Sequence, residues 1–115
     1  SSEDGYRGAK MLLSRDADIT AVFCSNDITA IGAMHAFQES GIRIPQDISL
    51  ISIDDIDTAS YLTPMLTTIH IPTQEMGQMA AKILIDRIDG GHRLPIKLNL
   101  PFYLANRESC ARYNG

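Results

Sequence analysis

Two short apolar runs, each ending abruptly in polar residues that open onto a helical pattern, constrain this chain more than any other feature. Ala21, Val22, Phe23 and Cys24 stand together without a charge, and Ser25, Asn26 and Asp27 follow at once. A strand that is apolar on both sides is expected to be buried on both, the condition of a parallel sheet covered by helices. Ser, Asn and Asp can each accept a hydrogen bond from the unpaired N–H groups that begin a helix. Over residues 28–40 the apolar positions recur at helical spacing, with Ala30, Ala33, Met34 and Phe37 on a face suited to packing on a sheet and Gly41 as the stop. Ile28, Ile31 and His35 form a neighbouring stripe, read either as a partner surface or as extra burial under another helix. The second run, Ile48 to Ile53, has only small serines between its apolar residues and closes on Asp54, Asp55 and Asp57.

The remaining segments fit the same alternation. Residues 3–15 read as a helix ending before the polar stretch Arg15 to Asp18, and residues 58–62 as a helical turn broken by Pro64. The β-branched stretch 66–71 reads as a third strand stopped by Pro72, and a helix from Thr73 to about Asp89 runs into Gly90-Gly91. Residues 96–100 and 102–106 read as final strands separated by Pro101. Strands alternating with helices give an α/β architecture. With 44% hydrophobic and 21% charged residues, 115 residues have the makeup of one globular unit or part of one. A net charge of −4 argues against this segment gripping a phosphate backbone, which requires clustered cations. Cys24 and Cys110 belong to no metal-ligand spacing and suit a reducing compartment, and no apolar run approaches a membrane span.

In doubly wound sheets the ligand crevice lies outside the carboxyl ends of the strands, which singles out Ser25, Asn26, Asp27, Asp54 and Asp55. An Asn amide both donates and accepts, and a carboxylate can accept from two adjacent hydroxyls, a chemistry suited to a neutral polyhydroxylated ligand such as a sugar or nucleoside. The plainer alternative is that such residues only cap helices or close Asx-turns, and Asp27 is the best candidate for a plain cap. Enzyme motifs are missing: there is no Gly-x-Ser-x-Gly elbow, no phosphate-cradling glycine loop and no His-x-x-x-His pair, and His35, His70 and His92 lie apart. Asp54-Asp55 resembles the Mg²⁺-holding acidic pair of a receiver domain, but the following strand ends in His70, Ile71 and Pro72 with no acceptor aspartate. No catalytic residue, metal or cofactor is expected.

Six ordered motifs resemble the LacI/GalR family of bacterial transcription regulators. Ala21 to Asp27 with Ala30-Ile31-Gly32-Ala33 is similar to its apolar strand, Asn-Asp pair and following helix. Gly41 to Ser49 resembles its Gly-x-x-Val-Pro-x-Asp-Val-Ser loop, and Ile53-Asp54-Asp55 its Gly-Phe-Asp-Asp strand end, with Ser52 and Ile53 in place of the glycine and the aromatic. Leu62 to Ile69, then Met76-Gly77 through Ala80-Ala81, Leu84 and Arg87-Ile88, and finally Arg107-Glu108-Ser109 complete the series. The resemblance implies a Rossmann-like parallel sheet flanked by helices, an incomplete C-terminal lobe of a periplasmic-binding-protein-like fold that begins partway through that lobe. Residues 1–67 and 95–115 would belong to this lobe, and 68–94 would supply a crossover strand and helix to the N-terminal lobe. It further implies that Asn26 and Asp54 hydrogen-bond a small effector, a sugar or nucleoside, and that Ile71 replaces a glutamine with a side chain unable to do so. Homodimerisation through Tyr6, Ile31, Met34, His35 and Leu62 follows from the same resemblance, as do a cytoplasmic location and contact with operator DNA only through a helix-turn-helix outside this chain. A periplasmic sugar-binding protein of a transporter is the alternative, since it shares the lobes and the Asn and Asp contacts.

Overall fold

Apolar patterning and capping chemistry place the elements. The structure, a computed structural model, describes residues 1–15 and 18–115; Asp16 and Ala17, in the polar stretch after the first helix, lie outside the described residues. In chain order come helix α1 (Ser2–Arg15), strand β1 (Ala21–Phe23), helix α2 (Asp27–Glu39), strand β2 (Ser49–Asp54), a 3₁₀ turn (Asp57–Tyr61), strand β3 (Thr67–His70), helix α3 (Thr73–Ile88) and strand β4 (Tyr103–Ala105). The sheet order is β1-β2-β3-β4, with the first three strands parallel and β4 antiparallel to β3. The α/β class with a parallel-dominated, helix-flanked sheet agrees with the sequence reading.

The core lies between α2 and the sheet. Ala30, Ala33, Met34, Ala36 and Phe37 are buried against Leu50 and Leu66, so the helical face drawn from the sequence is the one that packs. This burial corrects one expectation. Met34 is only 3% exposed and belongs to the core, because its spacing from Ala30 and Phe37 places it on the sheet-facing side of the helix. It therefore presents no surface to a partner. Helix α1 crosses α2 at two glycines: a Cβ on Gly5 would lie 1.9 Å from the Thr29 carbonyl oxygen, and one on Gly32 would lie 1.6 Å from that of Ser2. Backbones meet there at a distance that no side chain permits.

Two further expectations change. Residues 96–100 form no strand despite their alternating apolar pattern, since no strand among the described residues lies alongside them to complete a ladder. β1 is an edge strand rather than one buried on both faces, leaving Phe23 60% exposed. The crossover strand that the resemblance begins at residue 68 lies in β3, which pairs with β2 from Thr67 to His70 before the chain leaves the sheet at Ile71. Beyond that point α3 has no buried residue, and Met76, Leu84, Ile85 and Ile88 are exposed, as are Leu94, Ile96 and Leu98 in the segment after it. The molecule is elongated, 59 × 25 × 24 Å, with a radius of gyration of 18.3 Å; a compact chain of this length has roughly 13 Å.

Candidate functional site

The carboxyl ends of the parallel strands bring the candidate residues together. β1 pairs with β2 in the register Ala21 with Ser49 and Phe23 with Ile51; Asn26 follows three residues after β1 ends, and Asp54 is the last residue of the adjacent β2. Asp54 in turn pairs with His70 on β3. Asp54 and His70 are thus paired at the carboxyl end of neighbouring strands, about 4.8 Å apart, and Asn26 lies in the turn that follows the carboxyl end of β1. All three are partly buried.

Asn26 has an extended backbone (φ −155°, ψ 167°) and caps α2, its Oδ1 accepting the Thr29 N–H at 2.8 Å. The cap is thus Asn26 and not Asp27, and it uses the amide oxygen; the Nδ2 group takes no partner among the described residues. Asp27 has a different part. It is fully buried, and its carboxylate accepts the Ser52 hydroxyl at 2.5 Å, the Thr68 hydroxyl at 2.6 Å and the Ile56 N–H at 2.9 Å. One side chain at the first turn of α2 thereby ties that helix to β2, β3 and the loop following Asp54. A buried carboxylate with three donors is satisfied and rigid.

β2 ends on two successive non-glycine residues with positive φ, Asp54 at 133° and Asp55 at 62°. Such conformations cost on the order of 1–3 kcal/mol each and persist only where the surroundings impose them. The two carboxylates diverge in their bonding. Asp54 takes no side-chain hydrogen bond among the described residues; burial, and then the nearby charge of Asp27, push its carboxyl above the ordinary aspartate value. Asp55 accepts from Arg107 at 2.6 Å and from His70 Nδ1 at 2.7 Å. Burial alone would raise Asp55 too, but hydrogen bonds from Arg107 and His70, with the charge of each, outweigh it and hold the carboxyl below its usual value. His70 also stacks on Tyr103 of β4, ring centroids 4.6 Å apart.

Arg107 is itself fixed. Its other guanidinium nitrogen donates to the Leu66 carbonyl at 2.8 Å and its backbone N–H to the Thr67 hydroxyl at 2.9 Å. Glu108 and Ser109 continue the latch: the Glu108 carboxylate accepts the Met65 N–H, and the buried Ser109 hydroxyl accepts the Thr67 N–H while donating to the Leu50 carbonyl. The sequence singled out the Arg107-Glu108-Ser109 segment but not this wiring, and it set His70 aside as isolated. Only spatial pairing across 52 residues between Asp55 and Arg107 reveals the connection. Among the described residues no cluster of three or more His, Cys, Asp or Glu is arranged to hold a metal ion.

The other surface named from the sequence lies on the far side of α2. The Tyr6 and His35 rings are 5.4 Å apart, and Tyr6 and Ile31 with Ser2, Glu3, Gly32 and His35 line one shallow depression. Tyr6 donates its hydroxyl proton to Glu39, which also pairs with Lys10 at 3.3 Å. Leu62 is half-buried against the core at the end of the 3₁₀ turn, apart from that depression.

Residues 1–110 match the profile of a periplasmic binding protein-like domain. The chain is 44% identical over 109 residues to the HTH-type transcriptional repressor PurR of Escherichia coli O1:K1, covering 95% of this chain and 32% of that protein. Among solved structures, a LacI family transcriptional regulator from Enterococcus faecium with bound ribose is 39% identical with a TM-score of 0.89, over 96% of this chain and 41% of the other. The transcriptional regulator CelR in complex with cellobiose is 34% identical with a TM-score of 0.91, over 95% of this chain and 33% of that one. The chain spans about a third of the length of the curated relatives it matches.

Proposed function

Because this chain belongs to the periplasmic binding protein-like domain family, in its LacI/GalR branch of transcription regulators, we propose that it is the C-terminal part of an effector-sensing core that recognises a small neutral polyhydroxylated ligand, a sugar or a nucleoside. The observation that carries the reading is that Asn26 follows the carboxyl end of β1 and Asp54 ends the adjacent parallel β2, one offering an amide donor and the other a carboxylate without a bond among the described residues. Asn26 and Asp54 are the ligand contacts. Ile71, whose N–H donates to the Asp54 carbonyl at 3.3 Å, adds an apolar wall beside them. No bond is made or broken in this scheme. Ligand that binds one arrangement of two lobes more tightly than the other shifts the population between them, and a dimer transmits the shift to operator DNA through a helix-turn-helix outside these residues.

In this reading α3 and the apolar segment after it belong against a second lobe, which supplies cover for Met76, Ile83 and Leu98. The dimer forms through Tyr6, Ile31, His35 and Leu62. The similar proteins described above are regulators rather than transporter components, which favours a cytoplasmic sensor over a periplasmic carrier. Within the described residues no helix is long and apolar enough to cross a membrane.

Calorimetry with D-ribose, cellobiose and a nucleoside, on a chain that includes both lobes, tests the reading. Asp54→Ala is expected to weaken binding of whichever ligand is held by roughly 10- to 100-fold, the loss of charge-assisted hydrogen bonds. Residues 1–115 alone are expected to bind weakly or not at all. Micromolar binding by residues 1–115, or unchanged affinity in Asp54→Ala, would count against it.

A further inference from the structure

Each residue read as a ligand contact, Asn26 and Asp54, is followed by an aspartate whose carboxylate is engaged with the protein. Around Asp54 this arrangement has a mechanical meaning. Residues 54 and 55 both sit in strained backbone conformations, so the turn would relax unless it were fastened. The fastenings are unequal. The backbone links are long, Ile71 N–H to the Asp54 carbonyl and Asp55 N–H to the Thr68 hydroxyl, each 3.3 Å. The short ones run through the Asp55 side chain, to Arg107 at 2.6 Å and His70 at 2.7 Å, with the Ile56 N–H held by Asp27 at 2.9 Å just beyond. Arg107 cannot follow the turn if it moves, because the Leu66 carbonyl and Thr67 hydroxyl hold it to the start of β3.

We propose that Asp55 is a positioning residue for the ligand site: clamped by Arg107 and His70, it holds the strained turn that presents the Asp54 carboxylate at the end of β2. The inference rests on the reading of Asp54 as a ligand contact. Asp55 touches no ligand. Its effect reaches the ligand through the order of residues 54–57, in the way that outlying hydrogen bonds fix the groups that do the binding.

Two measurements on the full natural chain containing these residues separate the clamp from the ligand reading. Hydrogen exchange of the backbone at residues 54–57 reports the clamp without any ligand, and calorimetry with D-ribose and cellobiose reports the site. Asp55→Asn is expected to speed exchange at residues 54–57 by about tenfold or more while exchange in α2 stays unchanged. It is also expected to lower affinity for the bound sugar roughly tenfold or more, with Arg107→Lys intermediate because lysine keeps the charge but not the fork. Asp54→Asn should lower affinity roughly tenfold or more and leave exchange at residues 54–57 as it was. Asp47→Asn, which breaks the distant Arg43–Asp47 pair, should change neither. Unchanged exchange in Asp55→Asn and Arg107→Lys, or faster exchange spread evenly over the chain, overturns the proposal. Failure of the wild-type chain to bind either sugar counts against the ligand class, and the exchange result then decides the clamp alone.

Discussion

At the scale of single residues, neighbouring acids have opposite electrostatic fates. Asp54 is pushed above the ordinary aspartate value of 3.8 by burial and by the charge of Asp27. The folded chain therefore holds that proton more readily than the unfolded chain, and Asp54 costs stability once pH has risen through its raised folded value. Asp55 works the other way, stabilising the fold above 3.8 and losing that contribution as pH falls through its lowered value. In the proposed reading a neutral polyol donates to the ionised form of Asp54. Its affinity should accordingly begin to fall on acidification while pH is still above 3.8 and while the Asp55 clamp is intact; ligand titration at stepped pH, with urea unfolding run alongside, should show binding lost before stability. The apolar strand ends and their polar followers were legible in the sequence, so Asn26, Asp27, Asp54 and Asp55 stood out. Their division of labour was not, because it depends on Ser52, Thr68, His70 and Arg107, which are brought in from other elements.

At the scale of elements, helical periodicity located α1, α2 and α3 to within a residue or two, and short apolar or β-branched runs bounded by polar residues or proline located the central strands. It misjudged residues 96–100 because alternation signals a strand only where a neighbour completes the ladder. The α1–α2 crossing was also hidden, as its determinants are glycines that have no pattern. Gly32→Ala should force the two backbones apart and destabilise the fold by about 1–3 kcal/mol. Gly8→Ala, on the open side of α1 with nothing within 4 Å of the added methyl, should instead stabilise it by roughly 0.5–1 kcal/mol. Thermal unfolding of the two variants side by side checks the contrast.

At the scale of the whole molecule, the chain consists of a packed α/β body and an extension that contributes apolar surface without burying it. On the apolar side of α3 only Met79 and Ile83 are even half-buried, in a groove shared with Leu98, Leu100 and Phe102, and no residue of the helix is fully buried. The stripe on α2 is a separate matter, since Ile31 and His35 remain accessible beside Tyr6 while Met34 is taken up by the core. Ile31→Glu would set a charge in that depression without touching the sheet-facing side. In the full-length protein it should convert a dimer to a monomer by analytical ultracentrifugation, and an unchanged mass would remove this surface from consideration.

The pairing of β3 with β4 bears on how the extension can move. The chain departs at the end of β3 and comes back at the start of β4, and these two points are cross-strand neighbours joined by the His70–Tyr103 stack. A body hung from two adjacent cords swings readily about the line through both anchor points but resists twisting, because a twist would drive the cords past one another. Any rotation of α3 relative to the sheet is therefore delivered beside His70, the residue that also grips Asp55.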